Sequence, residues 1–326
     1  MKILAVDDDE SILELLPIIA AQAGFDDLTT VTSGEDALDI LTDDKGTLFD
    51  CLLFDIKMPG LDGIELCARV RKIPAYRRTP ILMLTVLTDM KYVDEAFKAG
   101  ATDYASKPFD VIELGARLRI AQELAMIRKG PIMAVSPEGE TPSAPLLTQR
   151  FDLSDEIEIE GIDDLVDYTA LGNYLTQLSR AGLASTQVVA VKIDRIEGIY
   201  AKASQDEFIY ALTEVAEAIS EIFEPNGYIM AYAGNGVFVI ISNRATLLPS
   251  IELEAEIQSQ LDDRNTEYDN GEPLDLEVSM GRPIRPNASK TQRVRKTFER
   301  AISRAENKMT KKRNDTQIVN ICLAEK

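Results

Sequence analysis

The chain's pattern predicts an open, doubly wound parallel α/β sheet followed by a separate α+β unit. Three observations carry this. Short apolar runs alternate with amphipathic segments from residue 2 to about 129, a stretch rich in Pro, Gly, Ser and Thr follows, and an Asn-Gly pair then sits between two apolar runs. At 326 residues the chain is long enough for two cores.

In the first part, strands are expected at 2–6, 28–31, 50–54, 81–85 and 101–105. Helices are expected at about 11–23, 33–43, 63–72, 90–99 and 110–129, with Ser33 as an N-cap. Short apolar strands separated by helices imply a parallel sheet buried on both faces. Ligands of such sheets sit outside the carboxyl ends of the strands. Pro131, Pro137, Pro142 and Pro145 mark the next stretch as a linker. The division is 1–129, an acidic proline-containing linker over 130–160, and a second unit over 161–326. That unit should hold helices at 162–181, 205–223 and 246–261, strands at 187–194, 274–280 and 317–323, and a basic helix at 290–312. Asn235-Gly236 between the apolar runs 228–233 and 237–241 predicts a hairpin.

Composition narrows the function. The chain has no histidine, which excludes autophosphorylation on histidine, a Ser-His pair and a histidine-ligated metal. Three cysteines, far apart, indicate neither a disulfide framework nor a zinc site. No apolar run approaches membrane-spanning length, and the acidic start does not suit a signal peptide, so a cytoplasmic protein is expected. The net charge of −20 disfavours general nucleic-acid binding. It is unevenly spread: residues 1–125 carry 13 basic and 23 acidic side chains, whereas 282–313 carry 12 basic against Glu299 and Glu306.

Asp7 and Asp8 follow the first strand and Asp55 follows the third. Oxygen ligands clustered in this way suit Mg²⁺, a hard cation that accepts a few carboxylates and keeps waters. Thr85 ends the fourth strand and Lys107 follows the fifth, on the same rim. Phosphoryl transfer rests mainly on positioning and charge neutralisation, which a metal and one lysine can supply. Asp9 reads as a helix cap.

The runs Val6-Asp7-Asp8-Asp9-Glu10 and Phe54-Asp55-Ile56-Lys57-Met58-Pro59-Gly60-Leu61-Asp62-Gly63, with Thr85, Tyr104 and Lys107-Pro108, resemble the response-regulator receiver family over residues 1–125. The resemblance implies a flavodoxin-like fold with Asp55 as phosphoacceptor. Mg²⁺ would be held by Asp7, Asp8, Asp55 and the backbone carbonyl of Lys57. Lys107 would pair with the phosphate, Thr85 and Tyr104 would form the switch, and the Lys107–Pro108 bond would be cis. The phosphodonor would be a sensor histidine kinase or a histidine phosphotransfer protein.

Residues 165–323 resemble the GGDEF (diguanylate cyclase) family through Tyr168-Thr169-Ala170-Leu171-Gly172-Asn173, Val191-Lys192-Ile193-Asp194, Val278-Ser279-Met280-Gly281 and the closing basic helix. The signature itself falls on Ala233-Gly234-Asn235-Gly236-Val237, without its two acids. Of the other family positions, Asp194 and Arg313 are kept. The guanine ligands fall on Lys202 and Ile209, and a phosphate-binding lysine on Met309. The resemblance therefore implies a catalytically inactive output domain that acts through protein contacts, with a downstream protein or a second copy as partner. An active diguanylate cyclase and a DNA-binding transcriptional regulator are the alternatives. Arg293, Arg295, Lys296 and Arg300 on the basic helix are the expected docking residues for an acidic partner.

Overall fold

The computed structural model describes residues 1–43, 46–86, 90–128, 152–155, 157, 159, 161, 162, 164–243, 247–286 and 293–324. The stretch 130–150, read as a linker, lies outside them. The chain divides into two compact units, Met1–Glu140 and Thr141–Lys326.

The first unit runs β1 (Ile3–Val6), α1 (Glu10–Gln22), β2 (Leu28–Val31), α2 (Gly34–Thr42), β3 (Cys51–Asp55), α3 (Gly63–Arg71), β4 (Ile81–Thr85), α4 (Met90–Lys98), β5 (Asp103–Ser106) and α5 (Val111–Arg128). All strand pairs are parallel, in the order β2-β1-β3-β4-β5. This is the expected doubly wound sheet. Every residue of β1, β3 and β4 is buried, as continuous apolar strands covered on both faces must be. The period-two alternation of strand side chains sorts them into two cores. Leu4, Leu52, Phe54 and Met83 pack with Leu66 and Val70 of α3. Ile3, Ala5, Leu53 and Leu84 pack with Leu16 of α1 and Leu118 of α5.

Short polar side chains start the helices. Asp9 accepts from the Ser11 amide at 2.9 Å, and Ser33 accepts from the Asp36 amide at 3.1 Å. Gly63 opens α3 where a Cβ would collide with the carbonyl oxygen of Asp55. Only glycine lets the helix begin this close to the end of β3.

The second unit runs α6 (Tyr168–Gln177), α7 (Arg180–Ser185), β6 (Gln187–Ile193), α8 (Ile196–Lys202), α9 (Gln205–Phe223), β7 (Tyr228–Tyr232), β8 (Val237–Ser242), α10 (Ser250–Arg264), β9 (Val278–Met280) and α11 (Arg293–Ala324). Its antiparallel sheet has the order β7-β8-β6-β9. The expected hairpin joins β7 and β8, with Asn235 at φ 53° and Gly236 at φ 68°. These are the left-handed conformations that tight turns require and that Asn and Gly tolerate.

Three expectations fail here, and one helix was not foreseen. The helix expected over 162–181 is broken, because Leu178 is extended (ψ 129°) and Ser179 caps a new helix by accepting from the Gly182 amide. The short helix α8 has no counterpart in the sequence reading. The strand expected over 274–280 is reduced to Val278–Met280, since Leu274 bonds back to Thr266 in a loop. The strand expected over 317–323 is helical instead, as the end of α11. No Gly or Pro lies between Arg313 and Ala324 to stop the helix. Extending a formed helix costs little, so it outweighs the strand preference of Ile318 and Val319.

Side chains close the edge strand β9. The amides of Met280 and Val278 donate to Glu254 Oε2 (2.6 Å) and Gln258 Oε1 (3.1 Å), and Lys312 Nζ donates to the Val278 carbonyl (2.7 Å). Backbone groups that would otherwise invite another strand are thereby occupied. No described helix is long and apolar enough to cross a membrane.

Gly63→Ala forces the start of α3 away from β3 and should cost about 1–3 kcal/mol. The expected readout is faster hydrogen exchange at the β3 amides, with the second unit unchanged. Unaltered β3 protection would show that the junction has room.

Candidate functional site

The parallel sheet brings the carboxyl ends of β1, β3 and β4 and the segment after β5 to one rim. Asp7 is fully buried, Asp8 is exposed and Asp55 is buried. One carboxylate oxygen from each of the three lies within 4.8 Å of the others. Lys107 bridges two of them, its Nζ 2.5 Å from Asp7 Oδ2 and 2.5 Å from Asp55 Oδ1. The other Asp55 oxygen accepts from the Lys57 amide at 2.8 Å. The Lys107 amide donates to the Thr85 carbonyl at 2.7 Å, anchoring the loop, and Lys107–Pro108 is cis.

A cavity of about 260 Å³ lies over this cluster, lined by Asp7, Asp8, Asp9, Asp55, Lys57, Thr85, Val86 and Lys107. Sequence reasoning placed six of these residues at the site and gave Asp9 a capping role, which its bond to Ser11 bears out. Tyr104 is not among the lining residues. It packs edge-on against Phe97, ring centroids 6.5 Å apart, and burial pushes its hydroxyl up. The Lys57 ammonium lies 4.9 Å over the Tyr92 ring.

Burial pushes the Asp55 carboxyl above its usual range. Lys107 opposes this through its hydrogen bond and charge, while the Asp7 charge adds to it. Burial alone would lower the Lys107 ammonium, but its bonds to Asp55 and Asp7 outweigh that and hold it above its ordinary value. Lys107 therefore stays protonated, one cation shared by two carboxylates beside a third. An oxygen-only donor set with a negative surplus, open to solvent at Asp8, fits a hard divalent cation.

Residues 3–119 match the family described as response regulator receiver domain. This stretch is a response regulator receiver domain. Among curated relatives, the alkaline phosphatase synthesis transcriptional regulatory protein PhoP of Bacillus subtilis (strain 168) is 37% identical over 137 residues, covering 42% of this chain and 52% of that protein. The DNA-binding response regulator MtrA of Mycolicibacterium smegmatis is 39% identical over 118 residues, covering 36% and 49%. The chain thus spans about half the length of these two relatives. A solved structure of the chemotaxis response regulator CheY4 of Vibrio cholerae is 34% identical, with a TM-score of 0.34, covering 37% of this chain and 97% of that one.

In the second unit, Asp194 follows β6, is buried, and accepts from Ser279 Oγ at 3.0 Å through Oδ2. Its Oδ1 has no hydrogen-bond partner among the described residues. Burial pushes its carboxyl up, with Ser279 and then Lys312 (4.0 Å away) opposing. Lys192, buried in β6, donates to the Asn235 carbonyl, and burial pulls its ammonium down. Sequence reasoning gave Lys192 no role, although a lysine inside an apolar run was a signal. On α11, Arg295, Lys296 and Arg300 are exposed, with Arg295 paired to Glu299 at 2.7 Å. The side chain of Arg293 lies outside the described residues.

The raised Asp55 carboxyl gives a pH dependence. Its contribution to stability is present below the ordinary carboxylate value and is lost as pH rises through the raised one. Without divalent cation, wild-type receiver stability should fall over that window, and Asp55→Asn should flatten the fall. Denaturation midpoints against pH read this out. Identical profiles would exclude Asp55 as the source.

Proposed function

We propose that the receiver domain takes a phosphoryl group on Asp55 from the phosphohistidine of a sensor histidine kinase or a histidine phosphotransfer protein. The bridging of Asp7 and Asp55 by Lys107, inside a cluster of three carboxylates, carries this reading. With no histidine in the chain, the donor is a partner. An Asp55 carboxylate oxygen attacks phosphorus, the P–O bond forms, and the P–N bond breaks with its electron pair returning to the partner's imidazole. The Lys57 amide orients the Asp55 carboxylate. Lys107 is within reach of both acids, and it pairs with the phosphoryl oxygens once the Asp55 charge is spent on the new bond. Asp7, Asp8 and Asp55, with the Lys57 carbonyl, are the residues that would hold Mg²⁺, which when bound neutralises charge on the incoming phosphoryl group. Thr85, buried against the cavity, and Tyr104 next to Phe97 form the switch.

The second unit is a degenerate GGDEF-like domain whose output is protein contact and not cyclisation. Two positions that would need carboxylates are Asn235 and Gly236, and Asp194 is engaged by Ser279. Arg295, Lys296 and Arg300, with Arg293, dock an acidic partner. The transcriptional roles in the relatives' names belong to proteins half of whose length this chain does not match. A net charge of −20 also opposes binding to a phosphate backbone.

In Mg²⁺, a small-molecule phosphodonor should label wild type once per chain, and Asp55→Asn should not be labelled. Lys107→Ala should slow transfer, and Asp8→Asn should weaken Mg²⁺ binding by roughly tenfold or more. Labelling of Asp55→Asn at wild-type stoichiometry would sink the assignment.

The purified chain should convert no GTP to cyclic dinucleotide. Turnover that disappears in Asp194→Ala would overturn the inactive-output reading. Reversing Arg295, Lys296 and Arg300 to Glu should abolish salt-sensitive partner capture while leaving Asp55 labelling intact.

A further inference from the structure

A second cavity, of about 630 Å³, lies wholly within the second unit, away from the hairpin at Asn235. Its lining brings together Arg282 after β9, Arg304, Lys308 and Lys311 of α11, and an apolar wall that includes Ile251 and Met280. Among the described residues, no Asp or Glu lines it.

The charges are unequally compensated. Lys308 is paired with the buried Glu254 at 2.7 Å. Arg304 is held by main-chain oxygens, its Nη1 donating to the carbonyls of Arg282 (3.1 Å) and Pro283 (2.9 Å). Those bonds fix the guanidinium without cancelling its charge. Arg282 and Lys311 are exposed and form no ion pair among the described residues. Ser250, the first residue of α10, also lines the cavity, and no side chain caps that helix start. Uncapped amides at a 15-residue helix therefore add a positive end to the same space.

We propose that this cavity binds a phosphorylated small molecule. Three positive side chains without a carboxylate partner call for at least two negative charges at short range. A phosphate group supplies nearly that much alone, whereas a carboxylate supplies one. Its oxygens also match the planar donors of arginine. The volume falls within the ~300–1,000 Å³ usual for small-ligand pockets. Ile251 is 69% exposed and, with the partly exposed Pro283, offers an apolar wall for the rest of the ligand.

The test uses the full chain in metal-free buffer with inorganic pyrophosphate as probe and citrate as the carboxylate comparator, both by calorimetry. Pyrophosphate should saturate one site per chain, more tightly than citrate, and weaken as salt rises. The double variant Arg282→Ala/Lys311→Ala should lose roughly tenfold or more in affinity. Arg195→Ala, exposed in the same unit but outside the lining, should stay within about twofold of wild type. Both substitutions of the double variant are at exposed positions, and an unchanged melting transition would confirm that it folds. No saturation below about 10 mM pyrophosphate, weaker than even a millimolar site, would overturn the proposal. Equal losses in Arg195→Ala and the double variant would overturn it too, as diffuse charge. Citrate binding as tightly as pyrophosphate would overturn the phosphate assignment.

Discussion

A buried carboxylate at the end of an apolar strand needs a cation or a donor, and this requirement organises both units. In the receiver, the sheet stacks Asp7 and Asp55 at neighbouring strand ends, where mutual repulsion and desolvation both act against ionisation. Lys107 answers both acids with one charge. To do so the chain after β5 must be held at the rim, which the bond from the Lys107 amide to the Thr85 carbonyl accomplishes. Gly63 meets the same constraint from the other side, by letting α3 start against the Asp55 carbonyl. The cluster keeps a negative surplus, and that surplus gives it chemistry.

The second unit meets the requirement differently. Glu254, buried on α10, takes Lys308 at 2.7 Å, Lys312 at 2.8 Å and the Met280 amide at 2.6 Å. Two ammoniums and an amide around one carboxylate leave nothing for a metal to neutralise, and they tie α10 and α11 to the edge of β9. Asp194 has only the Ser279 hydroxyl and a lysine 4.0 Å away. The retained acid of the second unit is thus the less well compensated one. The residue opposite it in the hairpin, Asn235, brings no second carboxylate.

The receiver was legible in the sequence because its constraints are local and repeated. Each strand is a short apolar run, and each functional acid or lysine stands just past the end of one, so finding the strands finds the site. The order of the strands and the bridge from Lys107 to Asp7, a hundred residues away, needed the fold or the family resemblance. The second unit was harder for physical reasons. Glu254 and Gln258 stand four residues apart on a helix, and nothing in that spacing shows that both turn to the β9 edge. Leu178 interrupts an apolar pattern that has the right period for one helix. Residues 317–323 carry strand-favouring side chains, but nothing there stops the helix already running. Propensity loses wherever a neighbouring element decides the backbone.

Charge balance also separates scaffold from site. Arg117 reaches Asp103 at 2.5 Å and Glu113 at 2.7 Å, tying β5 to α5. It has no lining role in either cavity, and its work is to hold that helix against the sheet. Both proposed sites leave charge of one sign exposed to a cavity. The receiver rim has four carboxylates for two lysines, and the α11 cavity has three cations without an acid of their own. Surplus charge held rigidly in a concave place costs folding stability, because the chain cannot satisfy it internally. A ligand of opposite sign recovers that cost on binding. On this argument the rim calls for a cation and a phosphoryl group in turn, and the α11 cavity for an anion. Asp194, with one oxygen unpartnered among the described residues, lines neither cavity, and there Lys312 stands against the charges of Glu277 and Glu254.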